Sequence, residues 1–207
     1  MKYIFIAGAP GSKWSSMCKN IYYSPSIDRS DYSNERTYYH DASGKMELMH
    51  LGAYFDPGME FELPESMSTL TRKQAEELFD KPFSGTGVRI VKSHIFSYRN
   101  NIDYLKQHWP HCAVILVHRE DDVCLEWWTQ AGHFDITYPN YKNYYVDFPT
   151  MIQHIKRQNL GITSAINDYP TTPAHSNQHL AQILGIDSPP NSYQQDYNEL
   201  GIRVVVL

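Results

Sequence analysis

The sequence predicts an α/β fold in which helices cover both faces of a short parallel sheet, giving three layers, αβα. Three observations predict it. Lys2 to Ala7 runs on without polar alternation, as a strand buried on both faces does. Val88 to Lys92 is rich in β-branched residues, and Ala113 to Val117 is again continuously apolar. Each run leads into a helical pattern, and strand, helix, strand in repetition implies right-handed crossovers within a parallel sheet. At 207 residues the chain exceeds the ~150-residue domain prior by too little for a second core, so residues 1–207 are read as one domain.

The elements follow in order. After the first strand, Gly8 to Gly11 turns the chain. From Trp14 to about Tyr22, Met17, Cys18, Ile21 and Tyr22 share one helical face. Ser24 to about Glu65 has no sustained period, with one short apolar stretch at Met46 to Leu51 that suits either a strand or a helix. Thr71 and Gln74 form a capping-box pair that opens a helix through Phe79. Pro82 and the glycines at 85 and 87 return the chain to the strand at 88–92. Ile102 to Trp109 reads as a helix stopped by Pro110. Glu120, Asp121 and Asp122 place acidic residues at the start of the next helix, which runs to about Ala131. Helices are expected near Phe148 to Gln158 and His175 to Leu184, and a last strand near Arg203 to Leu207.

Composition narrows the function. Eighteen Lys and Arg against 23 Asp and Glu give a formal charge of −5, which argues against nucleic acid as a partner. The first apolar run is too short to span a membrane, so a cytoplasmic protein without a membrane partner is expected. Cys18, Cys112 and Cys124 are an odd set without a C-x-x-C pair, and are read as reduced and mostly buried.

The strongest local signal is Gly8-Ala-Pro-Gly-Ser-Lys-Trp-Ser-Ser16 between a buried strand and a helix. Backbone N–H groups at such a turn form a cradle for phosphate or sulfate. It is not a Walker A loop, which would need glycine at position 13 and lysine at 14 where this chain has Lys13 and Trp14. The alternative is a plain turn whose Gly and Pro serve geometry alone.

Two further segments weigh on this choice: Arg89 to His94, and Cys112 to Arg119 followed by Val123 to Trp128. With the loop they give a chain order that resembles the PAPS-dependent sulfotransferases: a strand and phosphosulfate loop, a K-T-H or K-S-H segment, then a strand ending in Arg and a helix. The resemblance covers residues 2–23 and 88–131. It implies that Gly11, Ser12, Lys13, Trp14, Ser15 and Ser16 form a phosphosulfate-binding loop after the first strand, holding 3′-phosphoadenosine 5′-phosphosulfate (PAPS; product PAP). Arg119 is similar to the arginine that binds the 3′-phosphate, His94 to the histidine that activates the acceptor, and Lys92 to the lysine of that segment.

The chain departs from the family at three points. Gly11 stands where a basic residue usually follows Pro, so Lys13 or Lys92 must supply the cation. Glu126 occupies the place of a phosphate-binding serine, and the glycine-rich G-x-x-G-D-W-K element near the C-terminus is not visible.

The implied reaction is in-line sulfuryl transfer to a hydroxyl or amine of a small-molecule or carbohydrate acceptor. His94, with an ordinary pKa near ~6.5, would be the general base and Lys13 would stabilise the leaving oxygen. No metal is required, because loop amides and cations neutralise the leaving group. Two other readings stay open: a P-loop-like phosphotransferase using ATP, and a nucleotide-binding module without turnover. His94 could be a satisfied polar residue at a strand end, and Arg119 could pair with the acids that follow it. His175 and His179 share the i, i+4 spacing of a metal pair but lack a third ligand, and read as a solvated face. Trp127, at helical spacing from Val123 and Ala131, reads as core. Tyr138 to Tyr145 reads as a lid over the acceptor.

Overall fold

The computed structural model describes residues 1–33, 51–131, 134, 140–190, 197 and 201–206. The core is a six-stranded sheet in the order β2-β3-β1-β4-β6-β5. Its strands are β1 (Tyr3–Gly8), β2 (Ala53–Tyr54), β3 (Arg89–Lys92), β4 (Ala113–His118), β5 (Thr172–Pro173) and β6 (Gly201–Val206). β1 lies between β3 and β4 and is parallel to both, with Ile4 level with Ile90 on one side and Ala113 on the other. All six residues of β1 are buried, as the unbroken apolar run requires.

Side chains of β1 alternate between two cores. Tyr3, Phe5 and Ala7 face one, with Phe79 of α2 (Arg72–Asp80), Ile102 and Leu105 of α3 (Arg99–His108), and Ile162 and Ala165 of α6 (Phe148–Asp168). Ile4 and Ile6 face the other, with Met17 and Ile21 of α1 (Trp14–Tyr22) and Leu180 and Leu184 of α7 (Asn177–Leu184). Helices therefore cover both faces. A third, smaller cluster lies beyond the strand ends, where Ala9 of the loop meets Cys124 and Trp128 of α4 (Asp121–Gln130), Tyr145 of α5 (Tyr141–Tyr145), and Met151 and Ile155 of α6.

Local chemistry accounts for the helix starts. Thr71 and Gln74 form the full capping box of α2. Asp147 caps α6, accepting from the Thr150 N–H, with Pro149 in the first turn. α7 begins at Asn177 behind the Ser176 cap and ends on Gly185 in the left-handed conformation.

The sheet corrects one expectation. It is mixed rather than parallel, because β6 runs antiparallel to both β4 and β5. Residue pattern identified a terminal strand, but two-sided burial reads the same in either direction. α6 continues to Asp168, well past Gln158, and Gly161 lies inside it. Residues 46–50 of the Met46 to Leu51 stretch, Tyr138 of the aromatic loop and Leu207 lie outside the described residues. All three cysteines are free and buried, as expected. Among the described residues, no helix is long and apolar enough to cross a membrane.

Candidate functional site

The loop after β1 is held from two sides. Gly11 takes φ +79° and Lys13 takes φ +61°, which puts Lys13 at the N-cap of α1 in the left-handed region. A Cβ on Gly11 would stand 1.9 Å from the Cys124 carbonyl oxygen, so the loop lies directly against the α4 backbone. Ser12 is wholly buried, and its hydroxyl points across the loop toward Gly8. The Ser12 Oγ has no hydrogen-bond partner among the described residues. α1 has no side-chain cap and no acid in its own first turn, so the helix itself offers its N-terminal dipole no negative charge. A buried hydroxyl beside an uncapped helix N-terminus fits a phosphate or sulfate oxygen. Trp14 is buried and Ser15 half-buried at the start of α1, while the Ser16 side chain lies outside the described atoms.

His94 opens a 3₁₀ turn (His94–Ser97) directly after β3. Its Nδ1 lies 2.5 Å from the Gly8 carbonyl oxygen at the end of β1. A carbonyl only accepts, so Nδ1 carries the hydrogen and Nε2 keeps the lone pair. Nε2 faces Asp56 Oδ2 at 3.8 Å. The Trp14 and Tyr54 rings pack on the imidazole at 4.3 and 5.9 Å between centroids, leaving it 5% exposed. Burial pushes the His94 pKa below its ordinary value, against the pull of Asp56 and with the push of the Lys92 ammonium. Lys92 is fully buried, and its Nζ donates to the Leu51 carbonyl at 2.6 Å while lying 5.7 Å from the Trp14 ring centre.

On the other side of β1, Arg119 follows β4. Its guanidinium reaches the Gly11 carbonyl at 3.4 Å and lies 5.4 Å from the Trp127 ring centre. Lys13 Nζ sits 3.9 Å from the same ring centre. A cleft of about 410 Å³ opens here between His118, Arg119, Glu120, Val123 and Gly201.

No family model matches this chain, and no curated protein or solved structure matches it either.

The fold thus gathers the residues singled out in the sequence around one loop, with His94 reaching it from β3 and Arg119 from β4. Trp127 is a correction. It is 38% exposed and holds Lys13 and Arg119 against its ring, whereas the buried stripe of α4 is Cys124 and Trp128. The stripe chosen from the sequence was one residue, or ~100°, out of phase. Glu126 is exposed and accepts from Gln130 within its own helix. His175 precedes the α7 cap and stacks on His179 at 5.5 Å, and no group of three or more His, Cys, Asp or Glu side chains that could hold a metal occurs among the described residues.

Sequence reasoning missed Asp56. It is buried, and it accepts from the Ser93 hydroxyl (2.5 Å), the His94 N–H (2.6 Å), the Tyr54 hydroxyl (2.8 Å) and the Tyr145 hydroxyl (3.1 Å). It sits in the aperiodic stretch, where an Asp-Pro-Gly turn signal at 56–58 was the only mark. His154 was missed as well. It is buried on α6, shares a 2.6 Å hydrogen bond with the Tyr98 hydroxyl, and has its pKa lowered by burial.

Two imidazoles buried neutral make the fold acid-sensitive. An unfolded histidine takes its proton near the ordinary ~6.5, whereas the folded ones take theirs at lower pH. Below ~6.5 the unfolded state therefore binds more protons, and stability that is complete above that pH falls as pH drops. The slope is at most about 1.4 kcal/mol per pH unit for each histidine. Denaturant titrations at about pH 7.5 and about pH 5.5 should show the loss, and His154→Gln should flatten it; equal midpoints at both pH values would contradict the neutral burial.

Proposed function

We propose that this chain transfers a sulfuryl group from PAPS to a hydroxyl or amine of a small-molecule or carbohydrate acceptor. One observation carries the reading: the loop, His94 and Arg119 meet at the carboxyl ends of three neighbouring parallel strands, tied by His94 to the Gly8 carbonyl and by Arg119 to the Gly11 carbonyl. The donor supplies an activated sulfuryl group on a nucleoside bisphosphate leaving group.

The chain's residues then divide the work. N–H groups in the first turn of α1 and the Ser12 hydroxyl hold the anionic end of the donor. Lys13, on the loop itself, stabilises the charge left on the bridging oxygen. Lys92, with its hydrogen bond to Leu51, acts on the potential at His94 instead. Arg119 meets the 3′-phosphate from the cleft beside β4, with the fixed charged fork suited to that group. His94 Nε2 accepts the proton of the attacking hydroxyl.

A second reading, a nucleotide-binding module without turnover, draws support from the close cover of His94 by Trp14 and Tyr54. Calorimetric titration with PAP, with and without Mg and with ATP as competitor, tests binding; a transfer assay with PAPS then separates the two readings. We expect metal-independent PAP binding that ATP does not displace. ATP binding with Mg in place of PAP would favour a phosphotransferase, and no PAP binding would end the proposal. Arg119→Ala should weaken PAP about 10- to 100-fold while leaving adenosine 5′-phosphosulfate, which lacks the 3′-phosphate, nearly unchanged. An equal effect on both would remove Arg119 from the site.

A further inference from the structure

The buried carboxylate of Asp56 lies where three separate parts of the chain meet. Ser93 and His94 reach it from the end of β3, Tyr54 from β2 and Tyr145 from α5. The turn that carries it is wedged in place. Gly58 takes φ +81°, and a Cβ there would stand 2.9 Å from the Asn140 carbonyl oxygen just before α5. On the far side of Tyr145, Val146 takes φ +56° in a tight turn closed by a 2.7 Å hydrogen bond from the Asp147 N–H to the Tyr145 carbonyl. A β-branched residue in that region is strained and persists only when its surroundings fix it. The strain is located where the Tyr145 hydroxyl is delivered to Asp56.

We propose that Asp56 is a positioning residue for His94: it fixes the imidazole through the His94 backbone N–H and sets its basicity by placing a carboxylate opposite Nε2. Among the described residues, the groups that face this imidazole are the Gly8 carbonyl from β1, the Trp14 ring from α1, the Tyr54 ring from β2, the Lys92 ammonium from β3 and Asp56. His154 on α6 is a further titratable group close enough for its charge to be felt. Of these, only Asp56 is an anion. Burial and Lys92 both oppose a proton on Nε2, and the carboxylate at 3.8 Å, together with the Gly8 carbonyl at Nδ1, pulls the other way. The consequence for catalysis rests on the sulfuryl-transfer reading; the setting of the His94 proton affinity does not.

The test is therefore read first without substrate. Proton and nitrogen resonances of the His94 ring are followed against pH in the wild type, in Asp56→Asn and in Tyr145→Phe. Asp56→Asn removes the charge and should lower the His94 pKa by about one unit or more. Tyr145→Phe keeps the charge but removes one of its donors, so more of the carboxylate's field falls on Nε2 and the His94 pKa should rise. Opposite shifts are the signature of charge balance, and a merely structural aspartate would produce neither. If Asp56→Asn does not fold, the upward shift in Tyr145→Phe decides. An unmoved His94 in every variant that folds overturns the inference.

With PAPS and an acceptor, the acid limb of the Asp56→Asn rate profile should move down in pH with the resonance. Shifted resonances together with no transfer by the wild type would uphold the positioning and end the sulfuryl-transfer reading.

Discussion

Gly161→Ala should destabilise the fold by about 2–4 kcal/mol, although glycine to alanine inside a helix ordinarily gains about 1 kcal/mol. A Cβ at position 161 would stand 2.2 Å from the Ser97 carbonyl oxygen and 2.8 Å from the Arg99 nitrogen. Both are backbone atoms, so no rotamer change relieves the overlap, and α6 would have to lift from the 3₁₀ turn that carries His94. The site should suffer with the fold, because His94 is placed by that turn. Urea titration reads the stability. A midpoint at or above that of the wild type would mean that α6 does not press on residues 97–99.

The second large effect is on turnover. On the proposed sulfuryl-transfer reading, His94→Ala should lower the rate of transfer by about 10²–10⁴, the range for a lost general base, and leave PAP affinity unchanged. Burial holds the His94 pKa below its ordinary value, so the wild type should already be on its activity plateau at neutral pH, with its acid limb lying lower. The variant should lack that limb. Wild-type rates in His94→Ala would assign the imidazole to packing between Trp14 and Tyr54 and take it out of the chemistry.

Legibility in the sequence followed the range of the forces involved. β1 and β4 announce themselves because burial on both faces leaves no polar alternation, β3 by its β-branched residues, and α2 because the Thr71 and Gln74 cap is local chemistry. The gathering of the loop, His94 and Arg119 was legible through their order along the chain. Asp56 was not, since its meaning comes from partners at 93, 94 and 145, and nothing within a few residues of it announces them. β2 is two residues long and carries no period at all. The direction of β6 is likewise a tertiary fact, and the phase of α4 turned on a single residue, which moved Trp127 from the core to the ring that Lys13 and Arg119 cover.

The placement of β6 also bears on how the chain is made. The strand inserted between β4 and β5 is the last of the six to be synthesised, and every residue from Ala113 to His118 pairs with it. Until residue 206 has emerged, a nascent chain carries β4 with one side of its hydrogen-bonding groups open, a template for pairing with a neighbouring chain. Closure of the sheet therefore waits on the last of its six strands, and the interval before it is when β4 is open to such pairing.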